Sequence, residues 1–296
     1  MSFEFLEPTS LQEAVSMSAR WGGAARYIAG GTDLVIQMRK TAVAPPAVIN
    51  LQRLPGLDSI EARDGSITFG ALITHRALER SPLLQSELRA VTEGAAVIGG
   101  YQVRSVATLG GNLCNASPAA DMAPILLALD AEISLAGTDG SVRSMPLDRF
   151  LTGPRSTERT PHEIMTEVKV RPPSGRFSSA FLRAGRRRAM EISIVSMTAV
   201  VELDEQGRFS DVRLALGAAA PRPVRLRSVE RLLLSNTPSP DLFKEAGQLA
   251  LDYANPIDDL RASAAFRRHL VPTYVMRSLT LCLDRYTGRE NARFDA

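Results

Sequence analysis

The sequence predicts an α+β protein, and three observations lead to this prediction. Strand-like and helix-like runs come partly in groups along the 296 residues, whereas a doubly wound sheet would show strict alternation. Gly-Gly turns at Gly30-Gly31 and Gly110-Gly111 each follow a short apolar or small-residue run that suits a strand. The segment Arg171-Pro172-Pro173-Ser174-Gly175 is the best candidate for a domain boundary.

The N-terminal part predicts one α/β unit. Ser10 suits the N-cap of a helix over 11–20, and Glu13 completes a capping-box pattern. The other predicted elements are a strand at 26–29, a helix at 34–39 and a strand at 47–51, after Pro45-Pro46.

The middle part predicts two hairpins and several helices. Asp64-Gly65 and Asp139-Gly140 each separate two strand-like runs, a strong signal for a tight hairpin turn. Helices are expected at 75–80, 83–98 and 121–129. Beyond the boundary, strands are expected at 179–183, 196–203 and 212–216, followed by helices at 228–235, 240–250 and 263–286.

The two glycine turns are the main candidates for a binding site. A Gly-Gly pair leaves consecutive backbone N–H groups without a neighbouring Cβ, so such a turn can wrap an anion closely. Thr32 and Asp33 stand where a helix begins, which adds the favourable end of its dipole. Two such turns in one domain suggest a nucleotide or dinucleotide. Each could equally be a tight turn with no ligand.

Polar residues follow the second turn. Asn112, Asn115, Ser117 and Asp121 lie in one loop rich in small residues, and the Asp121 carboxylate could accept hydrogen bonds from sugar hydroxyls. Asp121 could also be the N-cap of the next helix, and the two roles are compatible. Cys114 suits a small packed thiol, and a helix-start role suits His75 better than a chemical one.

Composition and the lack of certain motifs disfavour several classes of function. The net charge of +3 is small. The one dense basic cluster, Arg183 with Arg186-Arg187-Arg188, has no interleaved aromatic residues, which favours a solvated or partner-facing cluster over nucleic-acid binding. Two distant cysteines and three histidines show no metal-ligand spacing, so no metal site is expected. The sequence shows neither a signal peptide nor an apolar run of bilayer length, which makes the cytoplasm the default location. P-loop and Rossmann glycine motifs are also missing from the sequence.

Several segments together resemble the flavin-binding medium subunit of the molybdenum hydroxylases, the group that includes carbon monoxide dehydrogenase and xanthine dehydrogenase. The most specific one runs from Thr108 to Asp121, TLGGNLCNASPAAD. Supporting segments are Ala29–Leu34 (AGGTDL), Gly70-Ala71, Gly185-Arg186-Arg187, Pro221–Arg225 (PRPVR) and Ala265–Leu270 (AFRRHL).

The resemblance implies an FAD-binding domain of the vanillyl-alcohol-oxidase-like type over residues 1–175. It would have subdomains at about 1–55 and 56–175, followed by a smaller C-terminal α+β domain of the carbon monoxide dehydrogenase flavoprotein type over 176–296. FAD would bind non-covalently between the subdomains. The residues expected to bind FAD are Ile28, Ala29, Gly30, Gly31, Thr32, Asp33, Leu34, Ile98, Thr108, Gly110, Gly111, Asn112, Asp121 and Met165.

The resemblance also implies a role in electron transfer. A large subunit would hold the molybdenum cofactor, and a small subunit would pass electrons through [2Fe–2S] clusters to the flavin, which would reduce an external acceptor. A dimer of heterotrimers is expected, and no catalytic residue is assigned to this chain. The alternatives are a stand-alone flavin oxidase and a non-catalytic nucleotide-binding module.

Overall fold

The computed structural model describes residues 3–40, 43–187 and 190–289, so Arg188 of the basic cluster lies outside the described residues. The α+β class is confirmed. Three units follow one another along the chain, and each is built on a separate main sheet of three, five or four strands. A further two-stranded hairpin belongs to the second unit.

The first unit is a parallel sheet with two helices. Its elements are β1 (Glu4–Leu6), α1 (Leu11–Arg20), β2 (Arg26–Ile28), α2 (Leu34–Arg39) and β3 (Ala47–Asn50). The strand order is β1-β3-β2, and both pairs are parallel. All four residues of β3 are buried, as expected for a central strand.

The capping box at α1 is only half formed. The hydroxyl of Ser10 accepts a hydrogen bond from the backbone N–H of Glu13 at 3.2 Å, as predicted. The Glu13 carboxylate, however, accepts from the backbone and hydroxyl of Thr9 at 2.7 and 2.9 Å, one residue earlier than the motif requires.

The second unit is an antiparallel sheet with seven helices. Its elements are β4 (Ile60–Arg63), β5 (Ser66–Gly70), α3 (His75–Arg80), α4 (Pro82–Glu87), α5 (Arg89–Val97), α6 (Tyr101–Arg104), α7 (Leu109–Asn115), α8 (Met122–Ala128), β6 (Glu132–Ala136), β7 (Val142–Pro146), α9 (Leu147–Phe150), β8 (Leu151–Gly153), β9 (Ser156–Thr157) and β10 (Ile164–Val170). The strand order is β4-β5-β10-β6-β7.

Two predictions in this unit were wrong. The helix expected over 83–98 is two helices, because Leu88 adopts φ −140° and ψ 61° and places its side chain fully in the core. The run before the second glycine turn is not a strand. It follows α6, and its pairing is a single bridge between Thr74 and Thr108. Leu109 to Asn115 form the short helix α7, with Thr108 as its N-cap.

The third unit is an antiparallel sheet followed by helices. Its elements are β11 (Phe177–Ala184), β12 (Val195–Leu203), β13 (Phe209–Gly217), β14 (Val224–Arg225), α10 (Arg227–Leu233), α11 (Pro240–Leu249), a 3₁₀ turn (Ala250–Tyr253) and α12 (Ala264–Tyr286). Seven consecutive residues of β12, Val195–Val201, are buried. Both faces of this sheet are covered. Val200 belongs to the core that α5 and α8 share, and its neighbour Val201 belongs to the core that α12 shares.

Buried polar contacts join the second and third units. The Arg225 guanidinium donates to the Leu127 carbonyl at 2.9 Å and to the Asp130 carboxylate at 2.6 Å, and it pairs with Glu230. Glu93 accepts from the backbone N–H of Phe181 at 3.0 Å. Among the residues that the structure describes, no helix is long and apolar enough to cross a membrane.

Candidate cofactor-binding site

A cavity of about 370 Å³ lies between the first and second units. Its walls come from the segment around the first glycine turn, from α7 and the turn before it, and from the ends of β3 and β10. The following residues expected to bind FAD line it: Ile28, Ala29, Gly30, Gly31, Thr32, Asp33, Leu34, Ile98, Thr108, Gly110, Gly111, Asn112 and Met165. The fold therefore brings both glycine turns to one cavity.

The first turn needs glycine at both positions. A Cβ at Gly30 would lie 1.9 Å from the carbonyl oxygen of Val106, so only glycine allows the first turn to approach the segment before the second. Gly31 has φ +69°, in the left-handed region that favours glycine. Close packing against Val106 therefore explains Gly30, and the left-handed backbone conformation explains Gly31.

The first turn also has unbonded backbone donors. The N–H groups of Gly30, Gly31, Thr32 and Asp33 donate to no acceptor within the described part of the chain, and they precede α2 directly. Consecutive free amides at the start of a helix form an anion-binding arrangement. The prediction of exposed amides is confirmed for this turn.

The same prediction is wrong for the second turn. The N–H groups of Leu109 and Gly110 donate to the carbonyls of Ile73 and Ala71 at 3.0 and 2.8 Å. The N–H of Gly111 donates to the hydroxyl of Thr108 at 3.1 Å, and that of Asn112 donates to the Thr108 carbonyl. Since the main chain at this turn is already bonded, donors to a ligand here must come from side chains.

Two side chains of the second turn have unused hydrogen-bonding capacity. The Thr108 hydroxyl accepts from Gly111, which leaves its own O–H available as a donor. The Oδ1 atom of Asn112 is buried without a partner. A neighbouring contact, from Gln37 Nε2 to Asn115 Oδ1 at 3.2 Å, connects α2 to α7 and holds the two turns beside each other.

His75 also lines the cavity, beside the second turn. The residue is 1% exposed, and neither ring nitrogen has a hydrogen-bond partner. Burial, with the nearby Arg104 guanidinium, lowers the pKa of His75 to about 4, so the imidazole is neutral at pH 7. The helix-start position expected for His75 is confirmed, since Thr74 caps α3.

Charged side chains lie around the rest of the cavity. Arg26, Asp33, Arg159 and Glu163 belong to its lining. The hydrogen bonds from Arg143 hold the pKa of Glu163 below its usual range, so this carboxylate is ionised and already paired. The Arg159 guanidinium lies 5.8 Å from the centre of the Tyr27 ring. The pairing of Glu163 leaves the two arginines and Asp33 to set the local charge.

Asp121 does not line this cavity. It is 6% exposed, accepts a 2.6 Å hydrogen bond from the Ser193 hydroxyl, and lies 3.7 Å from the Arg183 guanidinium. Although it occupies the N-cap position of α8, its side chain makes no capping hydrogen bond. Burial raises the pKa of Asp121 to about 6. Arg183 is therefore a buried contact of the second unit, whereas the sequence suggested a solvated or partner-facing basic cluster.

Sequence reasoning missed part of the cavity wall. Tyr27, Leu72, Arg159 and Glu163 line the cavity, but each lies in a segment without a motif of its own. The only local signal was for His75, which follows the Gly70-Ala71 turn at the start of a helix. That signal specified the helix start and gave no indication of the buried, unpaired ring.

Two family models cover most of the chain. The first, described as the FAD binding domain in molybdopterin dehydrogenase, matches residues 1–173. The second, described as the CO dehydrogenase flavoprotein C-terminal domain, matches residues 180–281. The chain belongs to the FAD-binding medium subunits of the molybdenum hydroxylases. It is thus an oxidoreductase subunit whose cofactor is FAD, and its fold class of an FAD-binding part followed by a C-terminal α+β part is confirmed.

Individual relatives agree with this family. The chain is 31% identical over 284 residues to the 6-hydroxypseudooxynicotine dehydrogenase complex subunit alpha of Paenarthrobacter nicotinovorans, covering 96% of this chain and 95% of the relative. It is 33% identical to the putative xanthine dehydrogenase FAD-binding subunit of Escherichia coli K12, covering 86% and 88%. A chain of carbon monoxide dehydrogenase from Hydrogenophaga pseudoflava superposes with a TM-score of 0.92 at 27% identity, covering 96% and 98%.

Proposed function

We propose that this medium subunit transfers electrons within a heterotrimeric molybdenum hydroxylase. It receives them from the [2Fe–2S] clusters of a small partner subunit and passes them to an external acceptor, while a large partner subunit holds the molybdenum cofactor and oxidises the substrate. The complex is a dimer of heterotrimers in the cytoplasm. The relatives support a multi-subunit dehydrogenase, since one is named a subunit of a dehydrogenase complex and another an FAD-binding subunit.

The observation that carries this proposal is the row of free amides at the first turn. In the proposed complex, the N–H groups of Gly30 to Asp33 bind the diphosphate of FAD, and the side chains of Thr108 and Asn112 bind it from the other side. The unbonded amides support this fit, because they are donors that a diphosphate can accept from. The buried Asn112 Oδ1 is an acceptor, so it would take a hydrogen bond from an N–H or O–H group of the cofactor, and the Asn112 amide nitrogen is the atom that can donate to a phosphate oxygen. Ile98 and Met165 supply apolar contacts from the cavity wall.

We propose a separate contact between Asp121 and FAD. Asp121 is not part of the cavity lining, so any contact between it and FAD would be made by a part of the cofactor outside this cavity. We assign Asp121 to the ribityl and ribose hydroxyls, on the side of the second turn that faces Ser193.

We also propose 1–175 as the FAD-binding domain, with subdomains at about 1–55 and 56–175, and 176–296 as the C-terminal domain.

The chain itself binds and orients the cofactor. FAD supplies the redox chemistry, because it accepts electrons singly and releases them in pairs. The residues around the cavity fix its position non-covalently and limit the access of water. We assign no protein side chain to the making or breaking of a substrate bond.

Reconstitution with the partners tests the proposal. The purified chain should contain one FAD per protein, and that flavin should bleach only when substrate is added together with the molybdenum and [2Fe–2S] subunits. Omitting the [2Fe–2S] subunit is the control and should leave the flavin oxidised. Turnover of a substrate by the chain alone would favour a flavin oxidase instead. Failure to retain or take up FAD would favour a non-catalytic module.

A further inference from the structure

His75 is a buried polar side chain whose hydrogen-bonding capacity the protein leaves unused. It begins α3, and its backbone N–H donates to the Ala107 carbonyl at 3.0 Å, immediately before the second glycine turn. The bridge between Thr74 and Thr108 fixes the same two segments together. The backbone of His75 is therefore fixed beside the second turn.

The protein gives the His75 ring no hydrogen-bond partner, and the nearby Arg104 guanidinium disfavours its charged form. Both ring nitrogens are buried and unpartnered, while the neighbouring cavity wall is formed by Ala71, Leu72, Val103 and Ala107. A neutral imidazole has one N–H donor and one acceptor, and an unmade hydrogen bond in such a place destabilises the protein. A buried group of this kind requires an explanation, and a ligand in the adjoining cavity provides one.

The second glycine turn offers few free hydrogen-bond donors to the cavity. The amides of Leu109, Gly110, Gly111 and Asn112 are already bonded within the protein. An anionic group that reaches the second turn must therefore be bound by side chains. Next to this turn the cavity lining offers the polar side chains of Thr108, Asn112, Asn115 and His75, and Asn115 already accepts a hydrogen bond from Gln37.

We propose that His75 is a cofactor-binding residue whose ring N–H donates a hydrogen bond to the diphosphate of the bound dinucleotide. This inference rests on the proposed function, because it needs FAD in the cavity. It assigns the second turn a side-chain donor in place of the main-chain donors that the Gly-Gly sequence suggested. His75 positions the cofactor and takes no part in the redox step.

Paired measurements on the FAD-free chain and on FAD binding test this role. His75→Leu removes the donor and fills a similar volume. Its dissociation constant for FAD, measured by titration, should rise about 10- to 100-fold, as expected for a hydrogen bond to a charged group. The thermal midpoint of the FAD-free chain should stay equal or rise, because an unpaired buried polar group is removed. His75→Gln keeps an N–H donor and should bind FAD within about fivefold of wild type.

A second histidine provides the matched control. His162 has a buried and unpartnered Nδ1 but does not line the cavity, so His162→Leu should leave the FAD dissociation constant unchanged. Should His75→Leu fail to fold, the ¹⁵N resonances of His75 in the wild type decide the question, and they should shift on FAD addition. Unchanged FAD affinity in His75→Leu, or unshifted His75 resonances, would overturn this inference and leave the proposed function standing. A wild-type chain that binds no FAD would overturn the proposed function with it.

Discussion

The hydroxyl of Ser193 donates a 2.6 Å hydrogen bond to Oδ1 of Asp121, and this contact joins the third unit to the loop that follows the second glycine turn. Next to it, the Ala218 N–H donates to the Pro118 carbonyl at 3.0 Å. The buried Arg267 holds the adjoining backbone, since its guanidinium donates to the carbonyls of Ile194 and Ala218. The C-terminal unit thereby supports the loop that carries Asp121.

Asp121 should make the stability of the chain depend on pH. Burial raises its pKa to about 6 from an ordinary value of 3.8, so between these values the folded state binds more protons than the unfolded state. Stability associated with the protonated carboxyl is present below pH 4 and is lost as the pH rises through 6. Relative to wild type, Asp121→Asn should gain about 3 kcal/mol between pH 4 and pH 7.

Urea denaturation of the FAD-free chain at several pH values measures this difference. Ser193→Ala is the companion variant, because it removes the hydrogen bond that stabilises the ionised carboxylate. It should steepen the loss of stability with rising pH. If the free energies of unfolding of wild type and Asp121→Asn stay parallel from pH 4 to 7, the buried carboxyl does not titrate as described.

Gly111→Val should block FAD binding while leaving the fold intact. A Cβ at Gly111 would meet only the Thr108 hydroxyl, at 2.9 Å, and the rest of the side chain would extend into the cavity. Gly153→Val is the matched control. Its Cβ would have a single neighbour at 4.0 Å, and Gly153 lies outside the cavity lining.

Flavin content after purification and circular dichroism together check this pair. We expect native-like spectra for both variants, with flavin retained by Gly153→Val and lost from Gly111→Val. Full flavin occupancy in Gly111→Val would show that the second turn does not face the cofactor.

Arg225→Met should destabilise the chain strongly. The Arg225 side chain is 5% exposed, and its removal leaves the buried Glu230 carboxylate without its closest cation. Loss of one partner from a buried pair costs about 3–5 kcal/mol. Arg227→Met is the control, because Arg227 also contacts Asp130 and Glu230 but is 57% exposed, and its loss should cost under about 1 kcal/mol. Equal losses in thermal denaturation would contradict the assignment of Arg225 as the buried connection between units.

The sequence predicted local features well because their causes are local. Ser10 caps α1 as expected, and Asp64 and Gly65 take φ +51° and +69°, as a two-residue hairpin requires. The break at Leu88 was not predicted, because burial of that side chain depends on elements distant in the sequence.

At the candidate site, too, some features could be predicted from the sequence, whereas contacts between distant segments could not. Proximity of the two glycine turns follows from the family resemblance, and the cavity contains nearly all the residues expected there. The bonding of the second turn was missed, since its acceptors on Ala71 and Ile73 belong to a segment almost forty residues earlier. The unpaired ring of His75 has the same origin, because only the folded chain shows which buried groups lack partners.

Amide hydrogen exchange with and without FAD tests the central claim most directly. The N–H groups of Gly30, Gly31, Thr32 and Asp33 have no acceptor in the described protein, whereas those of Leu109 to Asn112 are already bonded. FAD should therefore slow exchange strongly at residues 30–33 and change it less at 109–112. Stoichiometric FAD binding with unchanged exchange at residues 30–33 would contradict the account.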